Sequence, residues 1–160
     1  MLETVLSEIP LFSALPQASI CQLAYHAYTQ IYDKDTIITR EGDVSDVLYI
    51  ILSGSVKVFL ENPQGECITL RVLHRGDYFG ELSLLDESTR SASVTTLEKT
   101  MLAILDKEEF MHCLHKTPEI AISLCAELSR RMRTMTEDIK DFKIQNDNSG
   151  LAETYPSRAL

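Results

Sequence analysis

The sequence predicts a mainly β domain, a sandwich or barrel of short strands, with helices flanking it at both ends. Three observations lead there. Between Thr29 and about Lys107 apolar residues recur with period two, in runs rich in Val, Ile, Thr, Tyr and Leu. Turn-forming clusters interrupt those runs at Glu41-Gly42-Asp43, Ser53-Gly54-Ser55, Asn62-Pro63-Gln64-Gly65 and Arg75-Gly76-Asp77. On either side of this segment the spacing changes to the three-and-four pattern of helices. No long helical crossover separates the strands, which argues against a parallel α/β sheet.

In chain order, "SEIPLFSALPQASICQLAYHAY" (residues 7–28) reads as two short helical pieces punctuated by Pro10 and Pro16. Ile20, Leu23, Ala24 and Ala27 fall at helical spacing, and Pro16 suits a helix start. Strands are expected at "QIYD", "TIITR", "DVLYIIL", "SVKVFLE", "CITLRVL", "ASVTT" and "TMLAILD". Between the fifth and sixth of these, Tyr78-Phe79-Gly80-Glu81 breaks the alternation, and "ELSLL" reads as one or two helical turns. "DKEEFMHCLHK" is a short helix with Asp106 as N-cap and Glu109 at the capping-box position. Pro118 opens a long helix over about 117–146. In it Cys125, Leu128, Met132, Met135, Ile139 and Phe142 alternate spacings of three and four, a heptad seam that calls for a partner helix. The polar stretch after it, broken by Gly150 and Pro156, reads as a tail. The expected organisation is therefore one domain over 1–146 and a tail over 147–160.

A chain of 160 residues with 44% hydrophobic content can bury a full core without cross-links. Its four cysteines form no C-x-x-C pair, the first residues lack a basic leader, and the longest apolar run, Val47 to Leu52, is far too short for a bilayer. These features point to a cytoplasmic protein with reduced thiols and no membrane partner. The net charge of −9 argues against a general nucleic-acid surface. It also means that any anion bound here must be held by a local cluster of donors.

Such a cluster lies in "RGDYFGELSLLDESTRSASV". Gly80 allows a close approach of ligand to main chain. The N–H groups opening the "ELSLL" turn favour an anion. Arg90 offers a planar fork of donors suited to phosphate oxygens, and Ser91 adds a hydroxyl and an N–H. Glu81 would repel a phosphate unless it accepts a hydrogen bond from another part of the ligand, for which a ribose hydroxyl is a natural donor. The group reads as a site for phosphate and sugar together. His112, Cys113 and His115 lie on one short helix with no further ligand evident, and read as a helix face, not a metal site. Arg130, Arg131 and Arg133 read as a solvated flank paired with Glu127 and Glu137.

"FGELSLLDESTRSASV" resembles the phosphate-binding cassette of cyclic nucleotide-binding domains, found in bacterial catabolite activators, kinase regulatory subunits and gated ion channels. "IPLFSALP", "REGD" at Arg40 to Asp43 and "DVLYIILSGSVKV" at Asp46 to Val58 extend the resemblance to roughly Leu6 through Lys143. It implies an eight-stranded jelly-roll β-barrel with N-terminal helices and a long C-terminal helix. It implies that Glu81 binds the ribose 2′-hydroxyl, that Arg90 pairs with the cyclic phosphate, and that Ser91 contacts phosphate or base. Phe79, Gly80, Leu82, Ser83 and Ala92 complete the cassette, and Val72 and Leu73 would line the base pocket. In the bacterial activators a Thr-Ser pair on the long helix reads the adenine. Here the aligned pair is Met135-Thr136, so Thr136 retains a hydroxyl and Met135 departs from the pattern.

The expected function is that of a sensor, not an enzyme: it binds a cyclic nucleotide, with cyclic AMP favoured over cyclic GMP, and needs no other cofactor. The long helix would pass the signal to a second subunit, as a homodimer, or to a downstream effector. About 14 residues follow Asn146, too few for a helix-turn-helix, so the chain is not expected to bind DNA by itself. The alternative is an interaction or dimerisation module with a vestigial pocket. A cupin-like metal enzyme ranks last, because only His74 lies among the strands.

Overall fold

The computed structural model describes residues 2–148 and, among them, the side chains of residues 2–144. Helix α1 (Leu2–Glu8), a 3-10 turn (Pro10–Phe12) and α2 (Gln17–His26) precede eight strands. These are β1 (Tyr28–Tyr32), β2 (Ile37–Thr39), β3 (Val47–Ser53), β4 (Ser55–Glu61), β5 (Cys67–His74), β6 (Tyr78–Phe79), β7 (Ser93–Thr96) and β8 (Thr100–Asp106). Helix α3 (Glu81–Asp86) sits between β6 and β7, and α4 (Lys107–Lys116) and α5 (Pro118–Asn148) follow β8. The strands form two four-stranded antiparallel sheets, ordered β1-β8-β3-β6 and β2-β7-β4-β5. This is the eight-stranded jelly roll with flanking helices.

The chain divides into two compact units, residues 1–121 and a second that begins at Ile122 within α5. Both sheets and all elements through α4 belong to the first. The barrel core joins Ile51, Val56, Val58, Leu73, Phe79, Val94, Leu102 and Ile104. On β3 and β8 the alternate residues Leu48, Ile50, Ala103 and Leu105 are also buried, on the face where α2 and α4 approach β8. These two strands are thus covered on both sides, which is why they read as nearly continuous apolar runs. Phe12, Ile20, Leu23, Phe110 and Ile120 are among the buried side chains of the helical elements. Each contributes on the order of 1.5–3 kcal/mol through apolar burial.

Local chemistry fixes the connections. The Asp106 carboxylate accepts the Glu109 N–H at 3.0 Å, capping α4 as its sequence indicates. Gly54 turns β3 into β4 at φ +87°, and a Cβ there would lie 2.7 Å from the Lys99 carbonyl oxygen, so only glycine fits. Thr96 and Thr100, both fully buried, satisfy their hydroxyls on the Asp33 and Glu98 carbonyls at 2.6 and 2.9 Å.

Several boundaries differ from those read in the sequence. β6 was not expected as a strand: two residues carry no alternation, and both Tyr78 and Phe79 are buried. The first helix starts at Leu2, and α5 runs to Asn148. The tail expected over 147–160 lies, from residue 149 onward, outside the described residues.

Within the second unit, Arg131 pairs with Glu127 one turn back on α5. The seam residues Met132, Met135, Ile139 and Phe142 are 57–69% exposed. No described helix is long and apolar enough to cross a membrane.

Candidate functional site

The stretch from Phe79 to Val94 closes around one side chain. Gly80 adopts φ +93° at the mouth of α3, and the helix that follows buries Glu81, Ser83 and Leu84. Glu87 ends it, also in the left-handed region. The chain then returns so that Arg90 lies inside, 4% exposed. Its main chain is tied to the β2–β3 connection on both sides: the Arg90 N–H donates to the Asp43 carbonyl, and the Gly42 N–H donates to the Arg90 carbonyl, each at 2.8 Å. The sequence motif "REGD" thus serves as the bracket that holds the arginine's backbone.

The guanidinium is held as closely. Nη1 donates to the Gly80 carbonyl at 2.7 Å and to Ser83 Oγ at 3.0 Å. Nη2 donates to Ser45 Oγ and to the Val47 carbonyl, both at 2.6 Å. Cζ stands 5.6 Å from the centroid of the Tyr49 ring, which stacks on Phe79 at 4.8 Å and 13°. Tyr49 and Phe79 are cross-strand partners of β3 and β6, so this short strand sets the floor beneath the arginine. Burial pushes the Arg90 pKa down, and the Tyr49 phenol and the carboxylates of Glu81, Asp43 and Asp46 push it back up. Nε, by contrast, is buried without a hydrogen-bond partner among the described residues. A buried cation with an unmet donor is costly, and such an atom marks where an acceptor belongs.

Two adjoining hollows open beside this guanidinium. One is lined by Thr39, Val58, Arg71 and Val94 together with Phe79 through Ser83 and Arg90 through Ala92. The other is lined by Glu41, Gly42, Leu82, Ser83, Asp86 and Ser88 through Ser91. The structure therefore gathers Phe79, Gly80, Glu81, Leu82, Ser83, Arg90, Ser91 and Ala92, the cassette named from sequence, around one space. Glu81 lines the first hollow and is 2% exposed. Donors, a buried acid and apolar walls can together hold a small anion carrying hydroxyls.

The remaining sequence candidates are Val72, Met135 and Thr136. Val72 is 43% exposed and absent from both linings; strand alternation turns it away from Arg71 and Leu73. Arg71 takes that place in the wall, and Leu73 packs in the barrel core. Met135 and Thr136 belong to the second unit, where the Thr136 hydroxyl donates to the Met132 carbonyl at 2.9 Å. Sequence reasoning missed Ser45, Val47, Tyr49, Thr39 and Arg71. Ser45 and Val47 act through a hydroxyl and a main-chain carbonyl that no motif marks, and Tyr49, Thr39 and Arg71 read only as strand residues. Among the described residues no group of three or more His, Cys, Asp or Glu side chains converges as a metal site.

The chain matches the family profile "Cyclic nucleotide-binding domain" over residues 29–117, more than half of its length. It is 36% identical over 124 residues to the cyclic AMP receptor protein of Thermus thermophilus, covering 78% of this chain and 57% of that protein. It is 35% identical over 112 residues to the cAMP-dependent protein kinase regulatory subunit of Schizosaccharomyces pombe, covering 70% of this chain and 26% of that protein. The chain thus spans less than two thirds of either relative. Among solved structures, the catabolite activator protein of Thermus thermophilus superposes with a TM-score of 0.75 at 33% identity, covering 84% of this chain and 63% of that one. The regulatory subunit of a cAMP-independent protein kinase A from Trypanosoma brucei gives a TM-score of 0.71 at 26% identity, covering 85% of this chain and 49% of that one. With the cassette assembled around a buried arginine in a jelly roll of this kind, the chain belongs to the cyclic nucleotide-binding domain family.

Proposed function

We propose that this chain is a non-enzymatic sensor that binds cyclic AMP in preference to cyclic GMP and transmits the event through α5 to a second copy or a partner. The observation that carries the reading is the Arg90 guanidinium, buried at the edge of two hollows with Nε unsatisfied among the described residues. A cyclic phosphate would meet that need, and this reading assigns the ribose 2′-hydroxyl to Glu81, which lines the first hollow. Relatives named for cyclic AMP favour adenine. Thr136 remains the proposed base contact and Met135 a neighbour to it, both on α5. The apolar seam on α5 supports a homodimer or a partner helix as the output.

Isothermal titration with both nucleotides tests this, on the wild-type chain and on Arg90→Ala. The expected result is tighter binding of cyclic AMP than cyclic GMP. The variant should lose about tenfold to a hundredfold or more, since a charge-assisted hydrogen bond is worth roughly 1.5–3 kcal/mol. Equal affinities for wild type and variant would remove Arg90 from the site.

A second reading is an interaction module whose pocket is vestigial. The exposed seam of α5 supports it, as does a relative described as cAMP-independent. A thermal melt with millimolar nucleotide separates the two, because a ligand bound only by the folded state raises the midpoint. No shift favours the vestigial pocket.

A further inference from the structure

We propose that Ser45 sets the affinity of the site: its hydroxyl occupies the place of a phosphate oxygen on Arg90 and must release the guanidinium when ligand binds. The inference rests on the cyclic nucleotide reading and goes beyond it, because Ser45 lies outside the cassette and lines neither hollow.

An arginine side chain carries five N–H donors. Four acceptors stand within 2.6–3.0 Å of the two Nη atoms of Arg90, and only Nε–H is without one among the described residues. A phosphate engages a guanidinium best through two parallel N–H···O bonds along one edge. The edge that contains Nε–H is completed by Nη2, and both of its hydrogens are committed, to Ser45 Oγ and to the Val47 carbonyl. Bidentate pairing along that edge therefore requires the acceptor on the Nε-side hydrogen of Nη2 to leave, and the proposal gives that place to Ser45.

The two acceptors differ in how readily they can leave. The Val47 carbonyl is main chain at the start of β3, where Val47 is paired with Asp106 of β8. Ser45 precedes that strand in the β2–β3 connection, and its hydroxyl swings away by a χ1 rotation. The opposite edge is no alternative. There Nη1 is locked to the Gly80 carbonyl and Ser83 Oγ, and Ser83 Oγ itself donates back to the Gly80 carbonyl at 3.3 Å. Ligand entry thus exchanges one neutral hydroxyl for an anionic oxygen on Nη2 and supplies Nε–H with its first acceptor.

The consequence has an unusual sign. Removing the Ser45 hydroxyl leaves a buried N–H unmet in the ligand-free protein, whereas in the bound protein that N–H is already served by phosphate. Only the free state is destabilised, so Ser45→Ala should bind more tightly than wild type.

The test is titration of cyclic AMP into the wild-type chain and into Ser45→Ala, Ser45→Cys and Ser45→Thr, with melting curves of each without nucleotide. Ser45→Ala is expected to bind about three- to tenfold tighter and to melt lower when ligand-free. Ser45→Cys, which keeps the volume with a weaker acceptor, should move the same way, and Ser45→Thr, which keeps a hydroxyl, should stay near wild type. If the wild type binds and Ser45→Ala and Ser45→Cys bind equally or more weakly, the proposal is overturned while the cyclic nucleotide reading stands. Binding by Ser45→Ala alone supports the proposal in its strongest form, an arginine held shut. If no protein of the set binds at millimolar nucleotide, both the proposal and the reading beneath it fall.

Discussion

Gly80 and Arg90 are built around each other. The Gly80 carbonyl accepts from Arg90 Nη1 at 2.7 Å, and a Cβ on Gly80 would meet the guanidinium, with Cζ only 2.9 Å away. Position 80 also holds φ +93°, which side chains avoid. The glycine is thus needed twice, once for the backbone turn into α3 and once to leave room for the arginine beneath it.

Gly80→Ala should therefore cost stability and binding together. The left-handed backbone alone costs about 1–2 kcal/mol with a Cβ. Displacing the guanidinium breaks bonds to Gly80 and Ser83 as well. A fall in melting temperature of about 5–10 °C is expected for a domain of this size, with loss of nucleotide-induced stabilisation. Differential scanning calorimetry with and without cyclic AMP reads both effects. A variant that melts lower yet keeps its full ligand shift would show that the Gly80–Arg90 contact matters to the fold alone.

Glu81 gives a sharper chemical test because it is assigned one atom of the ligand. Glu81→Gln keeps the shape of the side chain and removes its charge. Affinity for cyclic AMP should fall by about tenfold, as expected when a hydrogen bond to a charged acceptor becomes a neutral one. A 2′-deoxy analogue should lose a similar factor against the wild type and lose little further against Glu81→Gln. If the two losses add in full, the acid does not read that hydroxyl, since independent sites add and shared ones do not.

The sequence showed the barrel because period-two alternation survives wherever a strand has an inside and an outside. It hid β6, where two buried aromatics leave nothing to alternate. The cassette was legible because Gly80, Glu81 and Arg90 are residue types chosen for their chemistry at that spacing. Their supports were not. Ser45 is an ordinary loop serine, Val47 contributes a carbonyl that every residue owns, and Tyr49 is one of many strand aromatics. Strand parity leaves Val72 exposed, whereas Arg71, one residue earlier, faces the hollow.

The α5 seam yields a prediction on assembly. Met135 and Ile139 are 60% and 57% exposed and lie four residues apart on one face of the helix. In a homodimer each would be buried twice, so a charge at either position strikes the interface from both sides. Ile139→Asp should weaken association by at least about 3 kcal/mol, roughly a hundredfold or more in the dimer dissociation constant. Sedimentation equilibrium over a range of concentrations measures this. A wild-type chain that stays monomeric at high concentration would assign the seam to a different partner.

Cys113 makes the fold sensitive to alkaline pH. It is 7% exposed on α4, and burial, reinforced by the neighbouring Glu109 carboxylate, pushes its thiol from 9.0 up to about 11. The folded state thus favours the neutral thiol, and the unfolded chain loses that proton first. The stability this supplies is fully present below about pH 9 and is lost as pH rises toward 11. A rise of that size corresponds to on the order of 2–3 kcal/mol. Cys113→Ala removes the titrating group at the cost of a small cavity, so it should be less stable than wild type at pH 7. The gap between them should narrow as pH climbs from 9 to 11, because only the wild type has this proton to lose. Urea melts at several pH values measure that gap directly, and a constant difference across the range would mean that the thiol is not held neutral by the fold.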